Sequence, residues 1–266
     1  MKLVSKASLG AALALGMIAA GVATPAFAKK AEKAAPQYAP QLSKEFRVAI
    51  GAAQNAVKGG NAADAAAKLA AAEALATQPD EKFYVGAIGY DVYKLSKDPV
   101  AGRKAINQMI NANSRMVSNL AELNLASGNM AYEAGDYPDA IAKLTEADRL
   151  GSKDVNCLLR LAEAHFKLNQ QALGLTFVER AVAQSNASGQ KAPESWYARA
   201  ASVAYKAKLS SEVAKWTSAQ VRAYPTPENW RSALVTYRDG AHLDGQPSLD
   251  LFRLMRQVAC WRTRFL

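Results

Sequence analysis

The sequence predicts an all-α fold, a solenoid of about five to six helix–turn–helix repeats. Three observations predict it. Gly128, Ala140, Leu144 and Ala147 recur 34 positions downstream as Ala162, Gly174, Val178 and Ala181. A fixed period of this length signals stacked supersecondary units, each burying its apolar face on the next. Alanine is abundant and strand-like alternation is scarce, while glycine and proline fall mostly between the periodic segments.

The chain opens with a segment of a different kind. Lys2 and Lys6 form a short positive region, Leu9 to Val22 carries no charge, and Ala26-Phe27-Ala28 is a small-x-small cleavage site. This pattern predicts a secretory signal peptide over 1–28, cleaved after Ala28, and hence an exported, periplasmic protein. The apolar run is short for a spanning helix, which needs ~20 residues. Residues 29–44 are rich in Lys, Ala and Pro at their start and predict a disordered linker. The solenoid is expected over 45–247 and a terminal helix over 248–266.

The repeats are justified in order. Glu45 to Pro79 carries Ala53, a Gly60-Asn61 break, Ala65, Leu69 and Ala72. The intervals 12, 4 and 3 between Ala53, Ala65, Leu69 and Ala72 are those between Gly128, Ala140, Leu144 and Ala147. Phe83 to about Val117 is a degenerate unit. Tyr84, Tyr90 and Tyr93 fit its first helix and Ala101, Ala105 and Met109 its second, with the register slipping by a residue or two. In Leu123 to Ser152, Gly135-Asp136 breaks the chain, Asp136 caps the next helix and Pro138 is tolerated in its first turn. Ala140, Ile141, Leu144, Ala147 and Leu150 then form one apolar stripe at spacings of three and four.

Val155 to Ser188 repeats that pattern with Leu158, Leu161, Ala162, Gly174, Val178 and Ala181. A structural role is expected for its His165, and Cys157 is expected to be a small buried hydrophobe. After an inserted loop at Asn186 to Pro193, Glu194 to Pro227 makes a fifth unit, with Val213 and Trp216 filling its second helix. Thr226-Pro227-Glu228 starts a further first helix with Trp230, Leu234 and Tyr237, and Ser248 caps a last helix to about Thr263. That last helix is apolar on more than one side, which fits either a truncated array or an end that docks on another subunit.

Gly128, Ala140, Leu144 and Ala147, with the Gly135-Asp136-Tyr137 turn, make Leu123 to Ser152 resemble a tetratricopeptide repeat. The resemblance extends from Glu45 to about Tyr237, and Ala223–Asp239 with Leu249–Gln257 is similar to exported bacterial proteins of this kind. It implies a right-handed α-solenoid whose first helices line a concave face. There Tyr132, Phe166 and Tyr205 share one late first-helix slot. Glu133, Lys167 and Lys206 follow them, and Asn129, Glu163 and Ser202 lie one turn earlier. The expected site is therefore an aromatic ladder with polar flanks for a peptide or protein segment. The alternative is that these rings only wedge between repeats. Asn129 and Arg199 match two places of the carboxylate clamp of some family members, but Leu125, Arg160 and Ser195 stand where it uses Lys, Asn and Lys, so that clamp is not expected. Arg160 and Arg199 remain candidates to meet an acidic group.

The formal charge of +10 becomes +8 once Lys2 and Lys6 are removed with the leader. The bases are interleaved with acids, which together with export argues against nucleic acid and leaves weak contact with an anionic membrane open. Cys157 and Cys260 lie about three repeats apart, too far for a bridge in an array where units touch only neighbours. No metal-ligand spacing, P-loop or nucleophile elbow occurs, so no cofactor, no metal and no enzyme activity is expected. The expected function is a non-catalytic scaffold or adaptor. The competing functions are the helical part of a peptidoglycan enzyme whose catalytic part is missing, and a basic assembly subunit of an envelope complex.

Overall fold

Helix termini are written clearly in this chain. In the computed structural model, which describes residues 38–241 together with Asp250 and Arg253, Ser43, Asn61, Asp98, Asp136 and Asp154 each accept a backbone N–H of the helix they precede. These are short polar acceptors at N-cap positions, where the first turn leaves donors unsatisfied. The leader with Ala28, residues 29–37 and the terminal segment lie outside the described residues, apart from Asp250 and Arg253, which are helical.

Every regular element among the described residues is a helix. They alternate as antiparallel pairs. Unit 1 pairs α1 (Lys44–Lys58) with α2 (Ala62–Leu75), and unit 2 pairs α3 (Pro79–Ser96) with α4 (Pro99–Asn111). Unit 3 pairs α5 (Leu120–Glu133) with α6 (Tyr137–Arg149), and unit 4 pairs α7 (Val155–Lys167) with α8 (Gln171–Ala187). Unit 5 pairs α9 (Glu194–Lys206) with α10 (Ser210–Ala223), and α11 (Pro227–Ala241) packs on α10. Each second helix also packs on the following first helix, so apolar burial runs from unit to unit. This is a tetratricopeptide-like helical solenoid. None of these helices is long and apolar enough to cross a membrane.

The turn inside each pair is a left-handed residue. Gly60, Lys97, Gly135, Asn169 and Lys208 all have φ between 56° and 78°. In unit 3 the Gly135 N–H donates to Tyr132 O and the Asp136 N–H to Ala131 O, and the same two bonds recur around Asn169 and Lys208. Such bonds close the last carbonyls of a helix and reverse the chain. The left-handed residues recur at intervals of 37, 38, 34 and 39. The 34-residue period is therefore strict only between units 3 and 4. The inserted loop is shorter than the sequence suggests, because α8 continues to Ala187 and leaves 188–193 as the connection.

Small residues sit where the two helices of a pair cross. Ala53, Gly89, Gly128, Ala162 and Ala201 are all buried. A Cβ at Gly128 would lie 2.7 Å from Leu144 Cγ, so only glycine fits at that crossing. The other packing residues, Ala140, Leu144, Ala147, Gly174, Val178 and Ala181, are buried as well. His165 is 5% exposed, stacks on Phe177 at 5.2 Å and shares a 2.6 Å hydrogen bond between Nδ1 and Gln170 Oε1. Burial pushes the Cys157 thiol up to about 12, and Asp148 and Asp154 add to this, so the sulfur is an inert core group.

One expectation needs correction at the first unit. Residues 38–43 have no regular structure and helix α1 already begins at Lys44, but the end of this segment is not a free linker. The Gln41 N–H donates to Asp80 Oδ2 at 2.7 Å, and the Ser43 N–H and hydroxyl donate to Glu81 Oε1 at 2.8 Å. The other Glu81 oxygen accepts from the Thr77 and Gln78 N–H groups. Composition hides this pin because its acceptors lie on α3, nearly forty residues away. Glu81 is fully buried. Burial by itself would raise its pKa, but the hydrogen bonds from Gln78, Ser43 and Thr77 outweigh it and hold the carboxyl at about 2.

Two predictions follow from these contacts. The folded Glu81 carboxyl sits below its ordinary value of 4.5, so its stabilisation is present above pH 4.5 and fades as pH falls towards 2. Glu81→Gln is expected to cost ~3 kcal/mol at neutral pH, and the gap from the parent should close in acid, as read by urea unfolding at a series of pH values. Lys208→Gly relieves a left-handed lysine at φ 56°. Net of the added backbone entropy, it is expected to raise stability by about 0.5–1 kcal/mol, seen as an increased Tm.

Candidate binding face of the first helices

The small crossing residue of each pair fixes which side chains reach the open side of the first helix. In a helix, positions three and four apart share a face. Four residues after each crossing residue stand Val57, Tyr93, Tyr132, Phe166 and Tyr205. The sequence reading found the last three rings and left Tyr93 out of the ladder. The missing signal is the interval of 16 from Gly89 to Ala105, equal to that from Gly128 to Leu144. Helix α3 carries one more residue before its turn than its counterparts, and this shifted the apparent register of unit 2.

The rings wedge on one side and face outwards on the other. A Cβ at Gly102 would fall 2.7 Å from the Tyr93 ring, and Gly174 backs the Phe166 ring in the same way. Tyr132 meets Tyr137 edge-on at 5.5 Å. Tyr132 and Phe166 are half-buried, whereas Tyr205 is 44% exposed and has no stacked ring or cation among the described residues. The two sequence alternatives, packing and presentation, thus describe opposite edges of the same rings.

The two arginines bridge consecutive units. The Arg160 guanidinium lies 4.8 Å over the Tyr132 ring, with Nη2 3.4 Å from Glu133 Oε1. Arg199 lies 5.7 Å over Phe166 and grips Glu163 with two bonds, Nε to Oε1 at 3.0 Å and Nη2 to Oε2 at 2.8 Å. Each arginine is therefore engaged by a carboxylate of the preceding unit. Those hydrogen bonds with Glu163 raise the Arg199 pKa. Burial, with Glu163 nearby, raises that of the Tyr132 phenol. Asn129, one turn before Tyr132, is half-buried, and its Oδ1 is enclosed with no donor among the described residues. Lys167, Lys206 and Ser202 complete the predicted set. Both lysines are exposed and Ser202 is partly covered.

The second helices carry a different surface. Glu73 pairs with Lys104, Arg103 with Asp136 and Asp139, Asp148 with Arg180, and Glu179 with Lys215. Each of these pairs joins one unit to the next. A cleft of about 470 Å³ opens between α2, α3 and α4, lined by Glu73, Lys82, Lys104, Asn107 and Gln108 among others. Its Glu73 is already held by Lys104 and Gln108. No group of three or more His, Cys, Asp or Glu side chains placed to hold a metal occurs among the described residues.

A pair of glycine variants separates wedging from open space on this face. Gly174→Ala drives a methyl into the Phe166 ring and the Ala162 carbonyl, and is expected to cost about 1–3 kcal/mol. Gly51→Ala on α1 meets nothing within 4 Å and should instead stabilise by about 0.5–1 kcal/mol. Chemical denaturation of both variants checks the sign of each.

No family model matches the sequence, and no curated protein does. Among solved structures, a crystal structure of MamA protein aligns at 15% identity over 70% of this chain and 96% of that chain, with a TM-score of 0.45. The structure of YrrB, a TPR protein with an unusual peptide-binding site, aligns at 14% identity over 67% and 84%, with a TM-score of 0.42. That of Pseudomonas aeruginosa pilF aligns at 13% identity over 84% and 92%, with a TM-score of 0.40.

Proposed function

We propose that this chain is a non-catalytic scaffold that docks a protein or peptide segment across its first helices, and that it does so in the periplasm. The observation that carries the reading is the register of the face. Tyr93, Tyr132, Phe166 and Tyr205 occupy one slot on four consecutive first helices, and packing holds the first three rings by one edge. A repeated, rigid, half-exposed aromatic edge favours binding, because little side-chain entropy is lost when a partner covers it. The second helices offer a contrast, since Arg103, Lys104, Arg180 and Lys215 are spent on bonds between units. The location rests on the leader-like pattern of residues 1–28.

Site-specific photocrosslinking tests the reading. A photoreactive phenylalanine analogue at Tyr205 or Phe166, in the cell that makes the protein, is expected to give discrete adducts. The same group at Leu173, which is 47% exposed on second helix α8, should not. Equal labelling from both sides, or none from the first helices, would overturn it.

A further inference from the structure

The residue that directly follows each ladder slot ends, or nearly ends, its helix. In order these residues are Lys58, Lys94, Glu133, Lys167 and Lys206. Four of the five are lysine. Bases near a helix C-terminus are favoured by the macrodipole, which would explain a lysine at any helix end. The second helices do not follow that rule. The last turns of α2, α4 and α8 hold no base, the α6 base, Arg149, is spent on Glu146 at 2.6 Å, and α10 alone keeps an exposed last-turn base, Arg222, with no ion-pair partner among the described residues. A last-turn base free of an ion pair is therefore more regular on the first helices than on the second.

The row is also largely unneutralised. Lys58, Lys167 and Lys206 have no ion-pair partner among the described residues, and all three are exposed. Lys94 pairs only with Asp91, three residues away and on its own helix, at an exposed position, a pairing of ~0.2–1 kcal/mol. The acid in the row, Glu133, already faces Arg160. The bases that join one second helix to the next are matched with acids, whereas three of the four lysines in this line are not.

Resting on the docking reading above, we propose that the segment bound by the first helices is acidic. Its carboxylates lie along Lys58, Lys94, Lys167 and Lys206, and its apolar or aromatic side chains cover the exposed edges of Tyr132, Phe166 and Tyr205. Charge complementarity selects this occupant. The row supplies positive charge on four of the five first helices, while the adjacent rings reward a chain that also carries apolar side chains, which a bare polyanion lacks. An extended peptide meets both needs because its side chains alternate between two sides.

The test uses a fluorescein-labelled peptide of three Glu-Phe-Asp-Gly units and the full chain. Binding is expected by anisotropy, at least tenfold tighter than for the same peptide with every acid replaced by its amide, and weakening severalfold between low and moderate salt. Lys167→Glu with Lys206→Glu should reduce affinity at least tenfold, Lys167→Gln with Lys206→Gln by a smaller factor, and Arg222→Glu on second helix α10 should leave it unchanged. Circular dichroism reports whether each variant stays folded. Equal affinity for the acidic and amide peptides, or no loss in either lysine double variant, overturns the proposal. So does an oligothymidylate of equal length that binds as tightly as the acidic peptide, since a plain polyanion site would do that. If crosslinking at Tyr205 still captures a partner while the acidic peptide fails, the docking reading stands and the acidic segment falls.

Discussion

The close crossing of two helices at a small residue is the constraint from which the rest of the structure follows. At Gly128 the second helix comes so near that an added Cβ would overlap the Leu144 side chain. That approach sets the depth of the pair, and the left-handed residue two positions beyond the helix end sets its antiparallel return. Once both are fixed, the residue four places after the crossing must stand at the edge between packed and open sides. Tyr93, Tyr132, Phe166 and Tyr205 all stand there. The ladder is a geometric consequence of the crossing, repeated unit by unit.

Charge is distributed as if the two sides of the stack had different tasks. On the second helices, Lys104, Arg103, Arg180 and Lys215 each reach an acid in a neighbouring unit. Exposed pairs of this kind contribute ~0.2–1 kcal/mol apiece, so they fix register between units more than they stabilise the fold. At the first unit the bonding is far stronger. Glu81 is fully buried and gathers backbone donors from both its own helix start and the segment before α1. Hydrogen bonds to an ionised acceptor in a buried place are the strong ones. They tie the segment that leads into α1 to the first turn of α3.

Much of this was legible in the sequence, and the parts that were not share a cause. The 34-residue recurrence of Gly128, Ala140, Leu144 and Ala147 gave the pairs and their crossings, and Asp136 gave one N-cap, because small residues and N-caps are local signals. Unit 2 was blurred because α3 has an extra residue before its turn, which displaced Tyr93 from a count made at fixed period. The Glu81 pin was invisible because Gln41 and Ser43 find their acceptors across a whole unit. The pairing of Arg160 with Glu133 and of Arg199 with Glu163 was likewise beyond a one-dimensional reading. Both connect slots that are in contact only after the units stack.

The arginine pairs bear on what the open face can recognise. Arg199 and Glu163 are bonded twice, yet half of the arginine side chain remains in solvent. A pair so exposed is held weakly, so an incoming carboxylate could take Arg199 only by releasing Glu163, an exchange close to neutral. The arginines therefore add little net affinity for an acid, and their main effect is to stiffen the rings on which they stack. Lys167 and Lys206 release nothing when they gain a partner. On the proposed docking reading, discrimination by charge resides in lysines that have no ion pair among the described residues, and the rings supply an apolar edge whose position the helix crossing has already set.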